Sequence, residues 1–215
     1  MRWYATGAVA LIALLAGCKT NISTEIKLTE LEGTTSKMIA GGLAVEVAGC
    51  NNYEDSRKPS SSLLEAQEVI PAVFPDAKYI ECYTQKMDSF ARFELPVALD
   101  VDKDGKLFST DHVNFRAHDG ALLTVAIPAQ VKDRINAATK GKIGATRLAL
   151  NFQIRVVNDS SQALPFTAYS VFIDGEPYVA DNLSLPQNGS MIVTLSDVSV
   201  QAATKTGEAL VLVKR

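Results

Sequence analysis

Phe166-Thr167-Ala168-Tyr169-Ser170-Val171-Phe172-Ile173-Asp174-Gly175-Glu176-Pro177 reads as a strand closed by a turn, and it sets the reading of the chain's second half. Aromatic and β-branched residues suit a pleated, half-buried surface, and Asp-Gly-Glu-Pro is turn chemistry. Three further runs share this character: Thr146 to Val157, Ser190 to Val200 and Glu208 to Val213. Asn158-Asp159-Ser160-Ser161 and Gln187-Asn188-Gly189 supply the other corners. Short strands separated by turns, without helices between them, predict an antiparallel sheet or a β-sandwich-like half over residues 141–215.

Moving toward the N-terminus, helical signals enter. Ala129 to Ala138 has the pattern of a short helix ended by Lys140-Gly141, and a soft boundary falls near residue 140. No long linker marks it, so residues 24–140 and 141–215 can share one core. Within the first part, Thr24 to Leu31, Leu43 to Cys50, Lys78 to Tyr83 and Phe90 to Leu99 read as strands. Ser60-Ser61-Ser62 announces a helix carrying Leu63, Leu64, Ala66, Val69 and Ile70, with Glu65 placed to complete a capping box from Ser62; Pro71 and Pro75 limit its continuation. The expected fold class is therefore α+β. An N-terminal strand-helix-strand unit comes first, followed by the antiparallel half.

Cys50 and Cys82 sit on the strands either side of that helix. An even pair in an exported chain is most simply a disulfide, and closing the loop would contribute roughly 3–4 kcal/mol on the chain-entropy model. A redox pair or a metal site is the alternative, but the spacing is not C-x-x-C and only two histidines, His112 and His118, exist to complete a metal set.

Export itself is read from Leu15-Ala16-Gly17-Cys18, which follows Arg2 and an apolar run from Ala5 to Leu14. Small residues before a cysteine are how a bacterial lipoprotein signal peptide ends. On this reading residues 1–17 are removed, Cys18 carries the lipid, and residues 18–23 form the anchor and a short polar tether. The competing reading, a transmembrane anchor, needs about 20 apolar residues, and the run here is shorter. Residue 19 is Lys and not Asp, which points to the outer membrane of a two-membrane host. The formal net charge is −3, with no block of like charges, so no basic face for nucleic acid is visible.

One segment could hold a metal. Asp100-Val101-Asp102-Lys103-Asp104-Gly105-Lys106-Leu107-Phe108-Ser109-Thr110-Asp111 has the D-x-D-x-D-G start of a calcium loop and a carboxylate at its twelfth position. Asp100, Asp102, Asp104 and Asp111 would offer side-chain oxygens and Lys106 its carbonyl. The twelfth residue is Asp and not Glu, the ninth is Phe, and the flanks are strand-like. A solvated Asp104-Gly105 hairpin corner has the same composition.

Other chemistry is sparse. His112 and His118 lack the i, i+4 spacing of a helical metal site and stand in no recognisable relation to a nucleophile. Neither a Gly-x-Ser-x-Gly elbow nor a Gly-rich phosphate loop occurs. Asn-x-Ser/Thr triplets at Asn21, Asn158, Asn182 and Asn188 read as turns. Tyr53, Arg57 and Tyr178 are of the types common at interface centres.

Several segments together carry a resemblance: the lipobox, Thr24-Glu25-Ile26-Lys27-Leu28-Thr29, Cys50 followed by Tyr53-Glu54-Asp55-Ser56-Arg57-Lys58-Pro59, Glu81-Cys82-Tyr83, and Phe90-Ala91-Arg92-Phe93. The chain resembles an uncharacterised family of small lipoproteins of enterobacterial phages and prophages. That resemblance implies a context and no activity: a phage-borne lipoprotein that alters the host envelope, for example by masking a receptor against competing phages. The functional expectation is a non-enzymatic binding module, held at the membrane by lipid, whose partner is an envelope or outer-membrane protein and which requires no cofactor. The alternatives are an assembly lipoprotein of an envelope complex and an envelope enzyme with a dispersed, calcium-assisted site.

Overall fold

The computed structural model describes residues 19–102, 105–118, 120–139 and 149–215; Cys18, Asp104 and the boundary expected near residue 140 lie outside them. The first strand, β1, is Lys19–Lys27, and it takes in the residues that the sequence reading leaves as a tether. Thr20, Ile22, Thr24 and Ile26 are its buried positions. Two threonines on the inward face hide the hydrophobic alternation, because a Thr methyl packs in a core while its hydroxyl makes the residue read as polar. Thr24 Oγ1 donates to the Ala40 carbonyl at 2.8 Å.

Strand β1 organises the molecule. It pairs antiparallel with β3 (Gly41–Val47) and parallel with β9 (Ala149–Val157), the latter in unbroken register from Lys19 opposite Ala149 to Lys27 opposite Val157. The two-part α+β architecture expected from the sequence is therefore overturned: a strand of the first half lies beside a strand of the second in one mixed sheet.

The remaining strands are β2 (Lys37–Ile39), β4 (Lys78–Gln85), β5 (Asp88–Glu94), β6 (Val97–Asp100), β7 (Asn114–His118), β8 (Ala121–Ala126), β10 (Leu164–Ile173), β11 (Glu176–Leu185), β12 (Ser190–Leu195) and β13 (Glu208–Lys214). The spatial order is β2-β6-β7-β8-β13-β10-β12-β9-β1-β3-β5-β4, with β11 paired to β10 off this path. Besides β1 with β9, only β6 with β7 is parallel among the described pairs.

The expected strand-helix-strand unit fails for a related reason. Helix α2 (Ser61–Val73) does connect β3 to β4, but β5 lies between those strands, so β4 returns as the outer arm of a hairpin. Ser60, and not Ser62, caps α2: its Oγ accepts from Leu63 N at 3.1 Å, while Ser62 Oγ accepts from Ala48 N. Pro71 stands inside the helix, which runs on to Val73. The Cys50–Cys82 disulfide is present, with Cα atoms 5.6 Å apart, and ties the segment after β3 to β4.

Strand β10 joins the two wings of the sheet. Val171 to Ile173 pair with β12, whereas Phe166 to Ala168 pair with β13. Between them Ser170 adopts φ 49°, a left-handed conformation uncommon for a residue other than Gly, Asn or Asp. Its carbonyl accepts from Ser196 N and from Ser199 Oγ at the start of α4 (Asp197–Thr206). Strands that change partners at such bends are how sheets turn corners. The helix begins where the sequence suggests strand through Val200, because Ser196 caps it and Gly207 closes it with φ 96°.

Buried side chains from both wings, among them Ile22, Phe93, Phe115, Phe152 and Phe166, belong to one hydrophobic cluster. Two further helices, α1 (Leu28–Leu31) and α3 (Ala129–Thr139), complete the described elements. Among the described residues no helix is long and apolar enough to cross a membrane.

Candidate functional site

At the C-terminal end of β6, Asp100 stands opposite Arg116 of β7, which in turn stands opposite Thr124 of β8. Glu208, the first residue of β13, reaches the same group. A polar row thus crosses four strands of an otherwise apolar region. Asp100 is fully buried and the Arg116 side chain 6% exposed, so both charges need complete partners.

They have them. Arg116 Nε donates to Asp100 Oδ2 at 2.7 Å, Nη1 to Glu208 at 3.3 and 3.4 Å, and Nη2 to the Lys106 carbonyl at 3.2 Å. Asp100 also accepts from Ser36 Oγ, Asp102 N and Phe108 N. Glu208 Oε1 accepts from the Thr124 hydroxyl and lies 2.8 Å from His118 Nε2. Burial pushes the Glu208 carboxyl up, but the Thr124 and His118 hydrogen bonds and the Arg116 charge outweigh it, and its pKa is lowered.

The same hydrogen bonds engage described oxygens of the calcium-like segment. Asp100 and the Lys106 carbonyl, which the loop would offer to a cation, are both bound by the Arg116 guanidinium. Asp102 is exposed. Asp111 is drawn away to Arg134, which donates to its carboxylate at 2.8 Å, to its carbonyl at 2.7 Å and to the Val73 carbonyl at 2.7 Å. Among the described residues no three His, Cys, Asp or Glu side chains gather as metal ligands. The described oxygens of the loop therefore fit a guanidinium the protein supplies itself; Asp104 lies outside the described residues.

His118 also forms part of a cavity of about 660 Å³. Its other walls are the turn from Leu31 to Thr34, Val101 and Asp102 after β6, Gly120 to Leu122, and Lys214. Lys214 Nζ and Glu32 form an ion pair among these lining residues. The result is an apolar floor with one imidazole, one ammonium and carboxylates around it, which suits an amphipathic ligand or side chain.

His112 has partners that its sequence neighbourhood does not announce. Its Nδ1 is 2.8 Å from Ser109 Oγ and its Nε2 2.8 Å from Asp76 Oδ2. Asn114 fixes the Ser109–His112 turn by donating to the carbonyls of both residues at 2.7 Å. Asp76 comes from the segment after α2, so no local spacing could have revealed it. Arg116 and Glu208 left a fainter signal: charged residues inside or at the head of apolar strand runs.

Of the residues considered as contact anchors, Tyr53 is fully exposed, Arg57 is held by Asp55 at 2.9 Å, and Tyr178 is half-buried against the core. The Arg57 hydrogen bonds hold the Asp55 carboxyl below its ordinary range.

A family model described as a domain of unknown function (DUF7424) matches residues 20–215. No curated protein and no solved structure matches the chain.

Proposed function

The chain belongs to the DUF7424 family of domains of unknown function, and from the lipobox reading of its first residues we propose that it is a lipid-anchored, non-enzymatic binding domain of the bacterial outer membrane. Its partner is an envelope or outer-membrane protein. The phage-lipoprotein resemblance extends the reading to receptor masking or exclusion of superinfecting phage.

One observation supports this reading above the others. Strand β1 begins at Lys19, one residue after the cysteine read as lipidated, and leads into α1 and the cavity wall at Leu31 to Thr34. At about 3.3 Å per residue the strand spans nearly 30 Å. Anchoring at Cys18 would therefore hold the cavity roughly 30 Å along the strand from the lipid, where a partner has access to it.

Crosslinking of the full chain in intact cells, with Cys18→Ala as the unanchored control and Thr34→Trp to fill the cavity mouth, tests the proposal. A dominant outer-membrane partner lost in both variants is the expected result. A partner retained by Thr34→Trp removes the cavity from the reading, and no specific partner removes the binding module.

A second reading, an envelope hydrolase, is favoured by the Ser109–His112–Asp76 hydrogen-bond chain, in which a nucleophile, a base and an orienting carboxylate are in sequence. Ser109 Oγ also accepts from Asp111 N, and the Asp76 side chain is 61% exposed, features of a loop latch. Labelling with a fluorophosphonate separates the two: modification of Ser109 that His112→Ala abolishes would favour the hydrolase.

A further inference from the structure

The hydrogen-bond register places the β4–β5 hairpin beside the start of β1. Thr20 stands opposite Val45, so Lys19 is level with Glu46, and Lys19 N donates to Glu46 Oε2 at 3.3 Å. Glu46 stands opposite Phe90, and Phe90 opposite Tyr83. Beyond that level the hairpin continues through the Thr84–Ser89 and Gln85–Asp88 pairs to a turn of Lys86 and Met87. Three further residues at about 3.4 Å each carry the tip roughly 10 Å past Lys19, beyond the N-terminal end of β1. In the sequence Cys18 immediately precedes Lys19.

The tip is exposed and carries one large apolar side chain. Met87 is 96% exposed, and Lys86, with φ 57°, makes the tight two-residue turn that pushes it outward. The loop that leaves β3 at the same end carries Tyr53, fully exposed. Lys86 is balanced by Asp88 and Lys19 by Glu46, so the patch has little net charge.

We propose that this end of the sheet docks on the lipid surface, with Met87 inserted at the headgroup level and the β4–β5 hairpin acting as a second, non-covalent foot beside the anchor. The proposal rests on the reading of Cys18 as lipidated, because a chain that becomes strand at Lys19 leaves no slack to hold the hairpin away from the bilayer. A tip that overreaches the anchored residue by several ångströms enters the interfacial layer, which is deep enough for apolar side chains of this size. Two attachment points fix the tilt of the sheet, which a single acylated residue on a loose tether does not. Since the patch is nearly neutral, docking is insensitive to salt and does not require anionic lipid.

The test is hydrogen exchange of the full chain on phosphatidylcholine vesicles against the Cys18→Ala chain free in solution. The expected result is several-fold slower exchange over Gln85 to Asp88 on vesicles, with Gly33 to Lys37 unchanged, and loss of that slowing in Met87→Asp while the core strands stay protected. Equal exchange at the hairpin in both states overturns the proposal, and so does slowing that follows protein concentration and not lipid, which indicates a second copy of the chain. The mass of the N-terminal peptide reports acylation separately. If Cys18 is unmodified the anchoring reading falls, and coupling its thiol to a maleimide lipid applies the same exchange measurement to the docking surface alone.

Discussion

Arg116 and Asp100 lie opposite one another on neighbouring parallel strands, joined by an Nε to Oδ2 hydrogen bond of 2.7 Å, with the carboxylate fully buried and the guanidinium nearly so. The favourable Coulomb interaction in such a pair is largely offset by desolvation, so its significance is in what happens when it is broken. Removing one partner leaves the other charged and buried.

Arg116→Met is accordingly expected to cost about 3–5 kcal/mol, and Asp100→Leu a similar amount. The double variant should lose less than the sum, since no charge is then stranded between the two positions, although Glu208 loses a neighbour. Denaturant titrations of the three variants check this, and strict additivity would show that the pair does not act as a unit.

Stability should fall at acid pH through Glu208. Its carboxyl is lowered in the folded state because hydrogen bonds from Thr124 and His118 and the Arg116 charge overcome burial. A depressed carboxyl binds fewer protons folded than unfolded, so its contribution is present above the ordinary Glu range near 4.5 and is lost as pH drops through the lower folded value. Unfolding midpoints measured from neutral pH to about pH 3 should decline, and Glu208→Gln should flatten the lower part of that decline.

Calcium should leave the fold unaffected. With Arg116 bound to Asp100 and to the Lys106 carbonyl, thermal midpoints with and without millimolar calcium are expected to coincide. A rise of several degrees on adding calcium, reversed by a chelator, would mean that the loop rearranges around the ion.

Replacing Cys50 and Cys82 by Ala, or reducing the bridge, should lower stability by about 3–4 kcal/mol. The strand edge at β4 would lose its tie to the segment after β3. Chemical denaturation under oxidising and reducing conditions reads the difference directly.

Ser170, at φ 49° where β10 changes partners, should tolerate Gly and reject Val. A β-branched side chain resists the left-handed region, and Ser170→Val is expected to cost about 1–3 kcal/mol by equilibrium unfolding.

Local chemistry made part of the fold legible. Ser60-Ser61-Ser62 before an apolar stripe announced α2, although which serine caps it depended on Ala48 N claiming Ser62. The run from Phe166 to Asp174 and its Asp-Gly corner announce β10 and its turn, but the run after the corner, Glu176–Leu185, does not read as a strand because Pro177, Asp181 and Asn182 dilute it. Asp181 Oδ2 accepts from Val179 N, the kind of self-capping that suits an edge strand. Ser196 likewise hid a helix start inside what reads as a strand. The site was less legible still, because Asp76 and His112 are 36 residues apart and Arg116 and Glu208 are 92 apart.

By itself, then, the sequence determined that several segments extend, where some of them turn, and that Cys50 and Cys82 pair, because these follow from backbone sterics, turn chemistry and cysteine arithmetic within short reach. Only the tertiary structure decided that β1 lies parallel to β9 with Thr29 bonded to Asp159 across 130 residues, and that Arg116 binds Asp100 and the Lys106 carbonyl of a segment written like a cation site. Parallel pairing and buried charge matching are stabilised only when both partners leave water together, so neither partner's local sequence records the other.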